Sequence, residues 1–240
     1  MSLARLAALL ADTTRAAFCT ALLDGRAWTA GELARHAGVA PSTASEHLSR
    51  LIDGGLLAEE RQGRHRYVRL AGPEVATLIE DLSSFTPPAG TPGGPPAAGS
   101  PAPRSLREST RLSAEARART CYDHLAGRLG VTVGDAVLAR GLVTEEDGPT
   151  LTARGRAWLT DLGAELPPRA GRAGARPVVR TCLDWTERRN HLGGAFGALL
   201  CRTALDRSWV ERIGTGRALR VTPDGERALR ELLGVELLPA

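Results

Sequence analysis

The clearest alternation of apolar and polar positions runs from residue 29 to residue 70. Thr29 suits the N-cap of a short helix, and Gly38 supplies a turn after it. A second helix is predicted to begin near Pro41 and Ser42, since proline is favoured in the first helical turn. The apolar residues of this second helix share one face: Leu48, Leu51 and Ile52. The pattern therefore predicts two short helices joined by a tight turn.

A β-hairpin is predicted directly after these helices. Gly54 and Gly55 end the second helix, and two strand-like runs follow at 56–61 and 65–70, joined at Gly63. Helix, turn, helix and hairpin in this order are typical of a winged helix-turn-helix, whose second helix fits the major groove of DNA. We interpret the segment as a DNA-reading module. The alternative is an all-α domain with a similar turn and no DNA-binding role.

Polar residues fall on the outer face of the second helix and along the hairpin. The candidate DNA contacts are Ser42, Thr43, Ser45, Glu46, His47, Arg50, Arg61, Arg64, His65 and Arg66. Residues 1–85 hold nine Arg and ten acidic residues, so this part of the chain has no overall positive charge. Phosphate contacts must therefore come from a local basic patch on the hairpin.

The segment ELARHAGVAPSTASEHLSRLIDGGLLAEERQGRHRYVRL resembles the ArsR/SmtB-type repressors, and the resemblance covers residues 1–85. It implies a homodimer, held by outer helices at 3–10 and 73–85, that binds double-stranded DNA at a palindromic operator and releases it when an effector binds. Many members of that family sense metals or metalloids. The cysteine pair of one common family site is replaced here by residues 32–36, ELARH.

Composition divides the chain into three parts. Residues 86–104 are almost entirely Pro, Gly, Ala and Ser, which is typical of a linker between folding units. We expect a DNA-binding domain at 1–85 and a C-terminal domain for sensing or dimerisation at 105–240. The predicted fold class is mainly α with small β-hairpins (α+β): a winged helix-turn-helix plus two tandem winged-helix-like repeats at about 111–163 and 178–235.

The repeats share the pattern RTCxD…HLxGxxG followed by [LV]TxxGxxxLxxLG. We predict that Cys121, Asp123 and His124 lie within a helix, and that Asp184, Glu187 and His191 share one helical face. Candidate ligands for zinc or another transition metal are Cys121, His124, Cys182, Asp184 and His191. Structural packing, a small-organic-ligand pocket and thiol redox sensing remain open as alternatives.

Other function classes are disfavoured. The chain contains no common nucleotide-binding, metalloprotease or hydrolase motif, so we expect a protein that is not an enzyme. Its apolar runs are too short to cross a membrane and no leader is evident, so we expect a cytoplasmic location. Residues 104–240 hold 22 Arg and 17 acidic residues. The alternative function is therefore a regulator whose repeats only dimerise or add DNA contacts, without a ligand.

Overall fold

The computed structural model describes residues 2–62, 65–84, 106–172, 175–214 and 216–237. The chain divides into two compact units, Met1–Leu82 and Ser83–Ala240. Within the described ranges, no single helix is long and apolar enough to span a membrane. The bent pair Leu3–Leu10 and Thr13–Asp24, at 87° to each other, meets the length and composition criteria only when taken together.

The first unit is a winged helix-turn-helix. Its helices are α1 (Leu3–Leu10), α2 (Thr13–Ala21), α3 (Ala30–Ala37), α4 (Pro41–Asp53) and α5 (Pro73–Ser84). A 3-10 turn, Leu22–Asp24, follows α2. The strands are β1 (Trp28–Thr29), β2 (Leu57–Gln62) and β3 (His65–Leu70), which form an antiparallel sheet in the order β1-β3-β2. The predicted helix-turn-helix and hairpin are confirmed.

Local sequence signals explain where these helices begin. The Thr29 hydroxyl accepts the backbone N–H of Glu32, and the Glu32 carboxylate accepts the backbone N–H of Thr29, which is a reciprocal capping box. Pro41 opens α4 with Ala40 at the N-cap position, so Ser42 lies inside the helix. The apolar face of α4 is buried as predicted, with Leu48 and Leu51 at 0% exposure.

The second unit contains the same order of elements twice after a leading helix, α6 (Leu106–Arg117). The first repeat comprises β4 (Arg119–Cys121), β5 (His124–Ala126), α7 (Gly127–Ala139), β6 (Val143–Thr144), β7 (Thr150–Leu151) and α8 (Ala153–Asp161). The second comprises β8 (Arg180–Leu183), β9 (Asn190–Gly193), α9 (Gly194–Asp206), β10 (Val210–Arg212), β11 (Leu219–Val221) and α10 (Pro223–Leu233). Each repeat therefore runs hairpin, helix, hairpin, helix.

The predicted helices at the cysteine and histidine positions are wrong, as is the shared helical face of Asp184, Glu187 and His191. Cys121 and His124 are register partners in the β4–β5 hairpin, and Cys182 and His191 are register partners in β8–β9. The turn between β4 and β5 includes Tyr122, whose φ of 56° lies in the left-handed region that few non-glycine residues adopt. Strands of three or four residues are too short for hydrophobic periodicity to distinguish them from a helical segment.

The two repeats pack reciprocally around one shared core. Helix α7 packs on β9 of the other repeat, and α9 packs on β5. Gly130 in α7 and Gly197 in α9 permit a close approach within each repeat, since a Cβ there would lie closer than 3.0 Å to the carbonyl oxygen of Leu125 or Leu192, respectively. His191 lies against Gly130 and His124 against Gly197. The packing thus brings the two histidine-bearing strands together.

Candidate functional site

Helix α4 presents a polar face to solvent. Its exposed polar residues are Ser42, Ser45, Glu46, Ser49, Arg50 and Asp53, while Thr43 is half-buried. Positions 42, 45, 46 and 49 follow the spacing of one helical face, opposite the buried Leu48 and Leu51. Ser49 was missing from the predicted set, although the same spacing could have identified it. The face consists mainly of short hydroxyl side chains, which permit close approach to a groove.

His47 makes contacts inside the first unit. Its Nδ1 lies 3.2 Å from the buried Arg15 guanidinium and 3.6 Å from an Asp12 carboxylate oxygen. Arg15 also donates hydrogen bonds to carbonyl oxygens in α1. The backbone N–H of Arg15 and the nearby charges lower the pKa of Asp12. His47 thus ties the α4 helix to α1 and α2, a role that the sequence did not suggest; a DNA contact by His47 remains a prediction.

The β2–β3 hairpin carries a partly neutralised basic patch. Arg61 and Arg66 are register partners, and both guanidinium groups contact Glu59, at 2.9 Å and 2.7 Å. A hydrogen bond from Arg61, with Arg66 beside it, lowers the pKa of Glu59. Arg64 and the side chain of His65, both predicted at the hairpin tip, lie outside the described residues. Sequence reasoning missed Glu59 because its pairing depends on strand register.

Four chemistry-bearing side chains of the second unit meet in its interior. The Sγ atoms of Cys121 and Cys182 are 3.8 Å apart, and the Nε2 atoms of His124 and His191 are 3.1 Å apart. One ligand atom from each of these four residues lies within 4.8 Å of the others, and all four residues are at most 4% exposed. We call these four residues the Cys–His cluster. Each repeat contributes one cysteine and one histidine.

In each repeat, an aspartate carboxylate lies close to Nδ1 of the histidine. Asp123 Oδ1 lies 3.3 Å from Nδ1 of His124, and Asp184 Oδ2 lies 3.5 Å from Nδ1 of His191. Asp184, which was predicted as a ligand, therefore lies beside Nδ1 of His191 and is not one of the four residues of the Cys–His cluster. Both carboxylates are in turn paired with arginines: Asp123 with Arg176, and Asp184 with Arg119 at 2.9 Å.

The Arg119–Asp184 pair joins the two repeats. Arg119 is 0% exposed, donates to the Glu115 carbonyl oxygen and the Thr186 hydroxyl, and stacks 4.8 Å from the Trp185 ring. Burial alone would raise the pKa of Asp184, but the Arg119 charge and several hydrogen bonds lower it overall. Asp184 also accepts the backbone N–H of Gly127, at the start of α7.

The surroundings of the cluster lower the pKa of one cysteine and of one histidine. Hydrogen bonding with Cys121 and then with the two histidines lowers the pKa of the Cys182 thiol, despite its burial. Burial lowers the pKa of His191, which favours the neutral imidazole. Neutral imidazoles and thiolates are the forms that bind metals. By contrast, burial raises the pKa of Cys19 and Cys201, which lie outside the cluster, to about 12 each.

Comparison with known proteins identifies the first unit and extends to the full chain. Residues 10–60 match a helix-turn-helix domain family. The HTH-type transcriptional regulator YdfF of Bacillus subtilis is 36% identical over 237 residues, covering 98% of this chain and 99% of YdfF. The HTH-type transcriptional regulator CmtR of Mycobacterium tuberculosis is 41% identical over 81 residues, covering 34% of this chain and 68% of CmtR.

Among solved structures, a homodimeric winged helix-turn-helix DNA-binding domain of Mb0332 from Mycobacterium bovis, described as a possible ArsR-family regulator, is 32% identical. It aligns with a TM-score of 0.32 over 33% of this chain and 73% of that domain. The family assignment comes from the sequence relatives, of which YdfF matches almost from end to end. The chain belongs to the ArsR/SmtB-type family of winged helix-turn-helix transcriptional regulators, and it is a DNA-binding protein.

Proposed function

We propose that this regulator is a homodimeric repressor that reads a palindromic operator through the exposed face of α4 and releases it when the second unit binds an effector. The observation that carries the DNA-reading part is the uninterrupted polar face of α4 opposite its buried apolar face. A helix of this kind can enter the major groove with its N-terminal half against base edges.

The DNA contacts divide into two groups by chemistry. Ser42, Ser45 and Glu46 lie toward the N-terminal half of α4 and are assigned to base edges and adjacent phosphates. Arg50, near the C-terminal end of α4, and Arg61 and Arg66 on the hairpin are assigned to the flanking backbone. Thr43, His47, Arg64 and His65 complete the proposed interface.

The homodimer is assigned to the outer helices of the first unit. Helix α1 is apolar along one side, yet Leu3 is 82% exposed, and Leu82 in α5 is 47% exposed. Large apolar side chains left in solvent on these two outer helices favour an interface with a second copy. Light scattering of the full chain tests this assignment. A monomer at the concentration that saturates DNA would overturn it.

The proposed domain layout is a DNA-binding domain at 1–85, a linker at 86–104 and an effector domain at 105–240. Within the effector domain, each repeat carries a helix, a hairpin and a second helix in winged-helix order: α7, β6–β7 and α8, then α9, β10–β11 and α10. This order supports two tandem winged-helix-like repeats. The reciprocal packing of the repeats leaves their shared interior as the place where an effector would act on both.

DNA reading is tested with a matched pair of variants. The Ser45 hydroxyl donates to the carbonyl oxygen four residues earlier, as does that of Thr160 on the exposed side of α8. Ser45→Asp places a carboxylate against the DNA, and we expect a loss of about 1–3 kcal/mol of binding, which is at least several-fold in affinity. Thr160→Asp adds the same charge to the second unit and should leave affinity within twofold.

The measurement is fluorescence anisotropy with duplexes selected from a random pool by the full chain. Equal losses in the two variants would show that α4 has no special role, and would favour the alternative in which the repeats contribute DNA contacts. Circular dichroism confirms that both variants are folded before affinities are compared.

A further inference from the structure

We infer that the second unit binds one divalent metal ion of the zinc type, held by Sγ of Cys121 and Cys182 and by Nε2 of His124 and His191. The binding site is argued from its own geometry. Its role as the effector site rests on the function proposed above. This is a different location from the helix-turn-helix unit, because all four ligands come from the hairpins β4–β5 and β8–β9.

The spacing of the ligand atoms fits a tetrahedron around zinc. With Zn–S bonds of about 2.3 Å and Zn–N bonds of about 2.0–2.1 Å, tetrahedral geometry places two sulfurs about 3.8 Å apart and two nitrogens about 3.3 Å apart. The Cys121–Cys182 separation is 3.8 Å and the His124–His191 separation is 3.1 Å. The two like-atom pairs therefore already have the spacing of a four-coordinate site, and the sulfur–nitrogen separations, within 4.8 Å, would shorten to about 3.6 Å around a bound ion.

The orientation of the imidazoles supports the same conclusion. Both rings direct Nε2 inward and Nδ1 toward a carboxylate, Asp123 in one repeat and Asp184 in the other. A metal-bound histidine commonly directs its second ring nitrogen at a carboxylate, which fixes the tautomer and increases ligand basicity. Here that arrangement is present twice, once in each repeat.

Simple packing accounts less well for this cluster. His191 Nδ1 is fully buried and makes no hydrogen bond among the described residues, although Asp184 Oδ2 lies 3.5 Å away, so packing alone does not bring the pair to hydrogen-bond distance. A metal on Nε2 would leave Nδ1 protonated and facing the Asp184 carboxylate. Two sulfur and two nitrogen ligands select zinc or cadmium over magnesium or calcium, which prefer oxygen.

The site is closed and would cross-link the repeats. Its four protein ligands occupy all tetrahedral positions, so no open position is left for a substrate. Cys121 and Cys182 are 61 residues apart, and β5 and β9 each pack on the helix of the other repeat. Binding energy at such a site becomes folding energy of the unit that supplies the ligands. The ion would therefore fix how the two repeats pack.

The first experiment measures zinc and cobalt binding by the full chain, purified without an affinity tag and kept reduced. We expect one zinc per chain by elemental analysis, and Co²⁺ replacement should give the intense visible bands of tetrahedral cobalt with sulfur-to-metal charge transfer. Cys121→Ser and His191→Gln should each weaken zinc binding at least hundredfold. Cys19→Ser and Cys201→Ser remove buried cysteines outside the cluster and should retain full binding.

The Co²⁺ spectrum of the wild-type chain tests the site even if the variants fail to fold. If the chelator-treated, reduced wild-type chain gives only the weak spectrum of hydrated Co²⁺ while its circular dichroism is unchanged, the metal site is overturned. Equal zinc content in all four variants would also overturn it. So would a Cys121–Cys182 disulfide in the fresh protein that, once reduced, leaves a chain unable to take up zinc.

Operator affinity with and without Zn²⁺ separates the site from its proposed role. Stoichiometric zinc with a tenfold or greater loss of operator affinity supports both. Stoichiometric zinc with unchanged or tighter operator binding keeps the metal site and overturns its role as the effector site that releases DNA. DNA binding by a chain that takes up no zinc overturns the site and leaves the DNA-reading proposal standing.

Discussion

Two carboxylates, Glu59 in the first unit and Asp184 in the second, show how differently the two units use charge. Glu59 lies on the exposed hairpin and contacts Arg61 and Arg66, where solvent and a partner can compete for all three groups. Asp184 is 0% exposed and is paired with the equally buried Arg119. The exposed contacts of Glu59 suit an interface whose ion pairs can be exchanged for contacts with DNA. The buried Asp184–Arg119 pair instead stabilises the packing of the two repeats.

Removing the buried carboxylate should have the largest effect. Asp184→Ala leaves the Arg119 charge without its partner and removes the acceptor of the Gly127 N–H, so we expect a loss of about 3–5 kcal/mol in the free energy of unfolding. Urea unfolding followed by tryptophan fluorescence measures this, since Trp185 stacks on Arg119.

Asp135→Ala is the matched control for that change. Asp135 pairs with Arg189 in the same unit at 2.8 Å, but both side chains are about half exposed, at 47% and 59%. Exposed pairs contribute about 0–1 kcal/mol. Similar losses in the two variants would contradict the distinction between architectural and exchangeable charges.

A change of intermediate size tests the close approach of α9 to β9 within the second repeat. Gly197→Ala in α9 adds a Cβ that would clash with the Leu192 carbonyl oxygen, and we expect a cost of about 1–3 kcal/mol from the shift that this forces. Gly31→Ala in α3 meets nothing within 4 Å and should be neutral or stabilise by up to about 1 kcal/mol. Urea unfolding of both variants measures the difference, and a Gly197→Ala chain as stable as wild type would contradict the close approach.

The first unit could be predicted from sequence because its signals are local. The capping residue Thr29, the helix-opening Pro41 and the apolar spacing of Leu48 and Leu51 each act within a few residues, and each is found where it was expected. Contacts that depend on register or tertiary packing, such as those of Glu59 and His47, left no comparable pattern.

In the second unit, sequence signals predicted which residues matter but not the elements that carry them. The duplicated motif singled out Cys121, His124, Cys182 and His191, although these residues were assigned to helices and are found in short hairpins. Their meeting joins positions more than 60 residues apart, which no local period encodes. The repeat itself was the useful signal, because a pseudo-twofold pair brings equivalent residues together. Arg119 was not recognised as the partner of Asp184, since that pairing depends on how the repeats pack.

The smallest expected effect comes from the exposed carboxylate. Glu59→Gln releases Arg61 and Arg66 for phosphates, so we expect several-fold tighter DNA binding, and a salt dependence steeper by about 0.9 for each added phosphate contact. Anisotropy titrations over a range of salt concentrations measure both quantities. Glu60→Gln makes the same change in net charge at the neighbouring strand position, which faces the other side of the hairpin. An equal gain from Glu60→Gln would mean that net charge alone sets affinity. A gain confined to Glu59→Gln would mean that this carboxylate competes with the DNA backbone for the two arginines. Only an exposed ion pair can act in this way, because DNA cannot reach the buried Arg119–Asp184 pair.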